Sequence, residues 1–105
     1  MKIVMKLYID TSDREKITVS LDEKRFETKA KENASQRLLP FITELLEKKG
    51  KKLEDIKEIA VNTGPGSFTG LRVGVSVANA LGWALKIPVN GKDLRKGEVV
   101  EIKYK

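Results

Sequence analysis

Two short polar stretches of the chain contain residue types that could bind phosphate or carry out chemistry. One is Asp10-Thr11-Ser12, which ends the apolar run "IVMKLYI", and the other is "NTGPGSFTGLR" at residues 62–72. A carboxylate and hydroxyls at a strand end can hold Mg²⁺ and phosphate, or can simply form a turn. A glycine-rich turn before a helix exposes backbone N–H groups that favour an anion. Both stretches are therefore candidate phosphate-binding sites.

The glycine-rich stretch does not match the common nucleotide-binding motifs. Its glycines, Gly64, Gly66 and Gly70, read G-x-G-x-x-x-G, and no Gly-Lys-Ser/Thr follows them. A structural interpretation fits equally well, because Gly64 and Gly66 would supply unusual backbone angles and Ser67 would cap the next helix. Arg72, one turn into that helix, could pair with a phosphate or with a carboxylate such as Asp10.

Composition removes many kinds of chemistry. The 105 residues include no cysteine and no histidine, which excludes Ser-His-Asp and Cys-His catalysis, disulfides and histidine-ligated zinc. An acid or base would have to be a carboxylate, lysine or tyrosine, and a metal would have to be a hard ion held by oxygen. Asp10 alone would be a poor metal site, so we expect no metal.

Charge and length limit the class of protein. The net charge of +6 comes from 21 basic and 15 acidic residues, mixed along the chain, which indicates a solvated surface or a weak preference for RNA. No apolar run approaches the roughly 20 residues of a membrane helix, and the N-terminus lacks the pattern of a secretory signal. We expect a single cytoplasmic domain over residues 1–105 with no membrane association.

Hydrophobic periodicity predicts a mixed α/β fold with the order βββαβαβ plus a short C-terminal strand. The first three strands form an antiparallel group with a hairpin at "DEK", and Gly50 stops the first helix. The predicted strands are 3–10, 15–21, 25–30, 56–63, 87–91 and 98–105, and the predicted helices run from residue 33 or 35 to Gly50 and over 68–85.

The second predicted helix is apolar around nearly its whole circumference, which is typical of a helix buried on more than one side. Gly70, Gly74 and Ala78 are four residues apart and would let another backbone approach closely. That backbone could belong to the first helix of the same chain or to another subunit.

Several segments together resemble one family: "IDTS", "LLPFITELL", "IKEIAVNTGPGSFTGLRVGVSVANALGWAL" and "IPVNG". In this order, over roughly residues 3–91, they resemble the N-terminal domain of TsaB, also called YeaZ, from the bacterial machinery that makes threonylcarbamoyladenosine in tRNA. The resemblance implies an actin-like ATPase, or ribonuclease H-like, domain with a five-stranded mixed sheet. Residues 92–105 would then be a short extension in place of the family's usual second domain.

The resemblance also implies a function without catalysis, with no catalytic residue and no cofactor. TsaB-like subunits pair with and activate the related catalytic subunit TsaD. The metal-binding histidines of that subunit have no counterpart here. Because one lobe of the family's nucleotide cleft is missing, we expect weak or no ATP binding. We expect a homodimer when the chain is alone, contact with other subunits of the complex, and at most indirect contact with tRNA. The residues of the vestigial phosphate loop would be Asp10, Thr11, Ser12, Gly64, Gly66 and Ser67. Pairing through the helices predicts an interface of Leu38, Ile42, Leu45, Gly70, Leu71, Gly74, Val75, Ala78 and Leu81.

Two alternative functions stay open from the residues. One is a small Mg²⁺-dependent nucleotide-binding phosphotransferase or hydrolase that uses Asp10 and the glycine-rich loop. The other is a ribonuclease H-like nucleic-acid-binding module, which the fold and the positive charge would suit.

Overall fold

The computed structural model describes residues 5–30 and 33–102 and confirms a mixed α/β fold. Four strands form one sheet in the order β3-β2-β1-β4, in which β1 pairs antiparallel with β2 and parallel with β4. The elements are β1 (Met5–Asp10), β2 (Lys16–Leu21), β3 (Lys24–Lys29), α1 (Ala34–Lys48), β4 (Ile56–Val61) and α2 (Phe68–Leu85), with 3₁₀ turns at Leu53–Asp55 and Leu94–Lys96.

The strands alternate between a face covered by helices and an open polar face, as the period of two in their sequences requires. In β1, Leu7 and Ile9 are fully buried, whereas Lys6 and Tyr8 lie on the other face. The hairpin between β2 and β3 turns at Asp22, whose backbone is left-handed with φ of 57°. Since β1 is flanked by β2 and β4, its carboxyl end is near the centre of the sheet edge.

Helix α1 packs one side on the sheet and ends where the sequence predicts. Its buried residues, at helical spacing, include Leu38, Ile42 and Leu45. Gly50 follows the helix with φ of 69°, a conformation that glycine adopts without steric cost. Among the described residues, no helix has both the length and the apolar character needed to cross a membrane.

Helix α2 covers residues 68–85 as predicted. Ser67 caps its first turn by accepting a hydrogen bond from the Gly70 amide over 3.2 Å, and the helix ends at Lys86 in a left-handed conformation with φ of 61°. The row formed by Gly70, Gly74 and Ala78 is buried and faces β1 and β4. The sheet of the same chain therefore occupies the close-approach side of this helix.

The predicted fifth strand is reduced to a single bridge. Val89 bridges Ile59 in the parallel sense, but Asn90 then adopts a left-handed backbone and Gly91 turns the chain back to Lys92. A strand cannot continue through that turn, so residues 87–91 do not form the predicted fifth strand of the sheet.

The predicted C-terminal strand does not form over its described part, residues 98–102. This tail lies along α2 instead, where the Asn79 side chain donates to the Val100 carbonyl over 3.0 Å and accepts from its amide over 3.3 Å. The remainder of the predicted strand, residues 103–105, lies outside the described residues.

Candidate functional site

The glycine-rich loop is attached to the end of β1. The Ser67 amide donates to the Ser12 carbonyl oxygen over 2.8 Å. Gly66 lies against the same residue with φ of 155°, and a Cβ at this position would be 2.4 Å from the Ser12 Cβ. Both the backbone angle and the contact therefore require glycine at position 66.

The Asp10 carboxylate organises the two candidate stretches. Its Oδ1 accepts hydrogen bonds from the Ser12 amide over 2.9 Å, the Ser12 hydroxyl over 2.6 Å and the Asn62 side-chain amide over 3.1 Å. Asn62 in turn accepts from the Gly64 amide over 3.0 Å. Sequence reasoning missed Asn62, although an asparagine directly before a glycine-rich turn commonly bonds the backbone two residues on.

These contacts change the protonation chemistry of two neighbouring groups. Partial burial by itself would raise the pKa of Asp10, but the hydrogen bonds from Ser12 and Asn62, helped by the charge of Arg25, lower it below its ordinary value. The pKa of the adjacent Tyr8 phenol is raised, first by burial and then by the Asp10 carboxylate. Asp10 is therefore held as an anion and is a weak base.

Thr11 is a structural residue in this arrangement. Its side chain is 1% exposed, and its hydroxyl donates to the Gly70 carbonyl over 2.5 Å and accepts from the Gly74 amide over 3.1 Å. A Cβ at position 70 would lie 2.2 Å from the Thr11 carbonyl oxygen, and one at position 74 would lie 2.6 Å from its hydroxyl. The two glycines thus let the strand end and the helix approach each other closely.

The residues of the predicted phosphate loop lie together in the structure, and the Asp10 Oδ1 and the hydroxyls of Thr11, Ser12 and Ser67 form hydrogen bonds within the chain. Asp10 and Ser12 hold the loop, Thr11 holds α2, and Ser67 both docks the loop and caps the helix. Arg72, which could have paired with Asp10, instead has its guanidinium 4.6 Å from the centre of the Phe68 ring. In the described part of the chain, no group of three or more carboxylates is arranged to hold a metal ion.

The predicted interface residues lie inside the chain and do not form an accessible surface. All nine are buried, because α1 and α2 direct them onto the sheet and onto each other: Leu38, Ile42, Leu45, Gly70, Leu71, Gly74, Val75, Ala78 and Leu81. The surface that these two helices leave open to a partner therefore consists of other residues. Helix periodicity identified the apolar side of each helix correctly, but in this fold that side contacts the sheet.

A cleft of about 530 Å³ opens between the beginnings of the two helices. It is lined by Ala34 and Ser35 of α1, by Ser67 and the first turn of α2, and by Arg14 from the turn after β1. Arg14 is the one cation in this lining, and sequence reasoning did not single it out. The cleft adjoins the glycine-rich loop, but neither Asp10 nor Ser12 lines it.

Comparison with known proteins places the chain in a family. Residues 27–91 match the family model described as "TsaD: tRNA N6-adenosine threonylcarbamoyltransferase". The tRNA threonylcarbamoyladenosine biosynthesis protein TsaB of Bacillus subtilis (strain 168) is 41% identical over 63 residues, and the protein of the same name from Escherichia coli (strain K12) is 40% identical over 57. The chain belongs to this family as a TsaB/YeaZ-type member.

A solved structure agrees with this assignment. YeaZ from Pseudomonas aeruginosa superposes with a TM-score of 0.70 at 31% identity, over 83% of this chain and 42% of that one. A tRNA N6-adenosine threonylcarbamoyltransferase of Nitrosospira multiformis is also similar, with 50% identity over 56 residues.

The similarity covers only part of each relative. The matches span 60% and 54% of this chain but only 28% and 25% of the B. subtilis and E. coli proteins, and the N. multiformis match spans 53% of this chain and 16% of that protein. This chain therefore corresponds to a fraction of their length.

Proposed function

We propose that the chain is a non-catalytic subunit in the synthesis of threonylcarbamoyladenosine in tRNA and that it acts by pairing with a TsaD-like catalytic subunit. Residues 1–91 would correspond to the family's N-terminal, actin-like domain. Alone, the chain would form a homodimer, and in the complex it would meet further subunits.

The observation that carries the proposal is that polar groups of the loop form hydrogen bonds within the chain. Asp10, Thr11 and Ser12 would have to face a substrate to do chemistry, yet the Asp10 Oδ1 and the hydroxyls of Thr11 and Ser12 form bonds that hold the loop and α2 in place. The chain also has no histidine, so it lacks the metal-binding histidines expected of the catalytic relative. Both features support a positioning role over a catalytic one.

The outer surface of the helix layer would be the docking face, since the inner surface is occupied by the sheet. This docking face comprises Leu39 of α1, which is 41% exposed, and Val73, Val77 and Ala80 of α2, of which the valines are half-buried and Ala80 is exposed. A face of small and apolar residues between two helices suits a partner helix, because backbones and side chains can then approach closely.

Charged substitutions on this face test the pairing. Leu39→Lys and Ala80→Lys should each weaken binding to the TsaD-like subunit of the same organism by tenfold or more, because a lysine would be desolvated at the contact. Val99→Lys is the matched control, since Val99 is also apolar and 50% exposed but lies on the tail. Affinity would be measured by isothermal titration calorimetry, with circular dichroism to verify folding. Equal affinities for all three variants would contradict the proposed docking face.

A further inference from the structure

The positive charge of the chain is concentrated in one segment. Residues 5–61 contain 13 basic and 12 acidic residues and so nearly balance. The 15 residues from Trp83 to Gly97 contain four basic residues and one acidic residue, and the carboxylate of Glu98, which follows, accepts from the Asp93 amide over 2.7 Å. The acidic residue, Asp93, bonds Arg95 over 3.3 Å, and Lys86, Lys92 and Lys96 have no ion-pair partner among residues 5–30 and 33–102.

The fold gathers this segment at the end of α2. Leu94 of the 3₁₀ turn packs on α2, where its Cδ1 would lie 3.6 Å from a Cβ at Gly82. Lys86 follows directly after α2 with a left-handed backbone and is exposed, so it lies at the same end of the helix. Lys92, Arg95 and Lys96 are all exposed around this contact, so the lysines border one patch of surface.

The same end of the helix carries the most exposed large apolar side chain among the described residues. Trp83 is 62% exposed, and it is the single tryptophan of the chain. It lies three residues before Lys86, at the same end of α2. A solvent-exposed indole costs free energy in water, and its flat ring is a good platform for stacking.

The tryptophan borders the docking face, since Ala80 of that face lies three residues before it on α2. At about 100° per residue, Trp83 lies roughly 100° around α2 from the direction of Val73 and Val77. It is closer to Asn79, whose side chain holds the tail at Val100. A partner helix centred on Val73 and Val77 would therefore leave the lysines beyond the end of α2 accessible, with Trp83 at the border of the contact.

We propose that this patch, formed by Trp83, Lys86, Lys92 and Lys96, binds RNA that contains unpaired bases. The lysines would contact successive phosphates, and the indole would stack on an unpaired base. Stacking on an exposed aromatic ring beside a line of cations is the general mode by which proteins hold single-stranded nucleic acid. Nothing in the patch reads base edges, so the binding tolerates different sequences.

The single tryptophan provides a direct readout. Titrating the full chain at low salt with a short single-stranded RNA should quench the Trp83 emission saturably, because a stacked base quenches an indole. A tRNA transcript, whose loops hold unpaired bases, should do the same, whereas a blunt RNA duplex of equal length should quench much less. Unchanged emission with single-stranded RNA at low salt would overturn the proposal.

Two sets of variants separate stacking from charge, with labelled RNA and fluorescence anisotropy as the readout. Trp83→Ala should weaken binding about tenfold or more, and Trp83→Phe should retain most of the affinity. Lys92→Gln with Lys96→Gln should reduce the slope of log affinity against log salt by roughly 0.7 for each lost phosphate contact. Lys49→Gln with Lys51→Gln, at the end of α1, removes the same charge elsewhere and should change the slope less.

A different outcome would show that the patch binds a partner protein and not RNA. If Trp83→Ala leaves RNA binding unchanged but abolishes association with the TsaD-like subunit, the tryptophan anchors a protein contact and the RNA proposal is wrong. This test does not depend on the proposed function, because the RNA titration uses the chain alone. Loss of partner binding in Leu39→Lys, with RNA quenching intact, would show that the two surfaces act separately.

Discussion

Substituting Gly70 by alanine tests the close contact between the end of β1 and α2. In an ordinary helix, Gly→Ala stabilises by about 1 kcal/mol, because alanine loses less backbone freedom on folding. Here the added Cβ would lie 2.2 Å from the Thr11 carbonyl oxygen, a backbone atom that no change of rotamer can move away. The sign of the change in the free energy of unfolding therefore shows whether Gly70 is an unconstrained helix position or part of a tight contact.

The expected size follows from three contributions. Overpacking costs about 1–3 kcal/mol. Separating the helix from the strand also weakens the two hydrogen bonds of the Thr11 hydroxyl, at about 0.5–1.5 kcal/mol each. Set against the helix-propensity gain of about 1 kcal/mol, the net effect is a destabilisation of about 3 kcal/mol.

Urea denaturation followed by circular dichroism measures this difference. Ala80→Gly is the control in the same helix, since Ala80 is exposed and should lose only the propensity of about 1 kcal/mol. A Gly70→Ala variant that is as stable as the parent, or more stable, would refute the close contact and the structural role we assign to Thr11.

Three further predictions concern the polar groups around the loop. Thr11→Val keeps the shape of the side chain but leaves the buried Gly74 amide and Gly70 carbonyl without the hydroxyl. It should lower the free energy of unfolding, measured by urea denaturation, by about 1–3 kcal/mol, and Thr11→Ser should lower it less. Equal stability of the two variants would argue against these bonds. Because the pKa of Asp10 is lowered in the folded chain, its contribution to stability is fully present above the unfolded pKa of about 3.9 and is lost as pH falls through the folded pKa. Asp10→Asn should remove that part of the acid destabilisation, and an NMR titration giving Asp10 an ordinary or raised pKa would contradict the account. The Asn90 side chain bonds the Val61 amide over 2.8 Å and its carbonyl over 3.1 Å, so Asn90→Ala should speed hydrogen exchange at the Val61 amide; unaltered exchange there would count against this clamp.

Sequence periodicity predicted the helices well because their apolar residues alone define the pattern. The predicted second helix, 68–85, matches α2, whose start is marked by the cap at Ser67 and whose interior contains no proline. The strands of the hairpin were also found to within a residue or two, because their alternation is clear and Asp22 with Glu23 supplies the turn.

Pattern alone could not decide which surface the small residues of α2 contact. Gly70, Gly74 and Ala78 would permit close approach by a helix of another subunit or by the strands of the same chain, and both alternatives give the same spacing. Only the structure decides between them, because the Thr11 backbone lies against Gly70 and the Thr11 hydroxyl lies against Gly74. A row of glycines therefore indicates close packing but does not identify the neighbour.

The asparagines that hold the loops together were missed for a different reason. Asn62, Asn79 and Asn90 bond groups that are 52, 21 and 29 residues away in the chain. Such contacts leave no periodic signal, because they depend on which segments the fold brings together. The same limit explains why the predicted fifth strand is wrong. Only Val89 bridges the sheet, because the left-handed backbone of Asn90 then turns the chain away.

The central claim, that the chain acts by pairing with a catalytic subunit, is tested most directly by threonylcarbamoyladenosine formation on tRNA. The TsaD-like subunit of the same organism would be assayed with the chain absent, present, and present as Leu39→Lys, together with the other components of the reaction. We predict no product from the chain without the catalytic subunit, a large increase when both are present, and a loss of that increase with Leu39→Lys. Product formation that does not change when the chain is added would contradict the account.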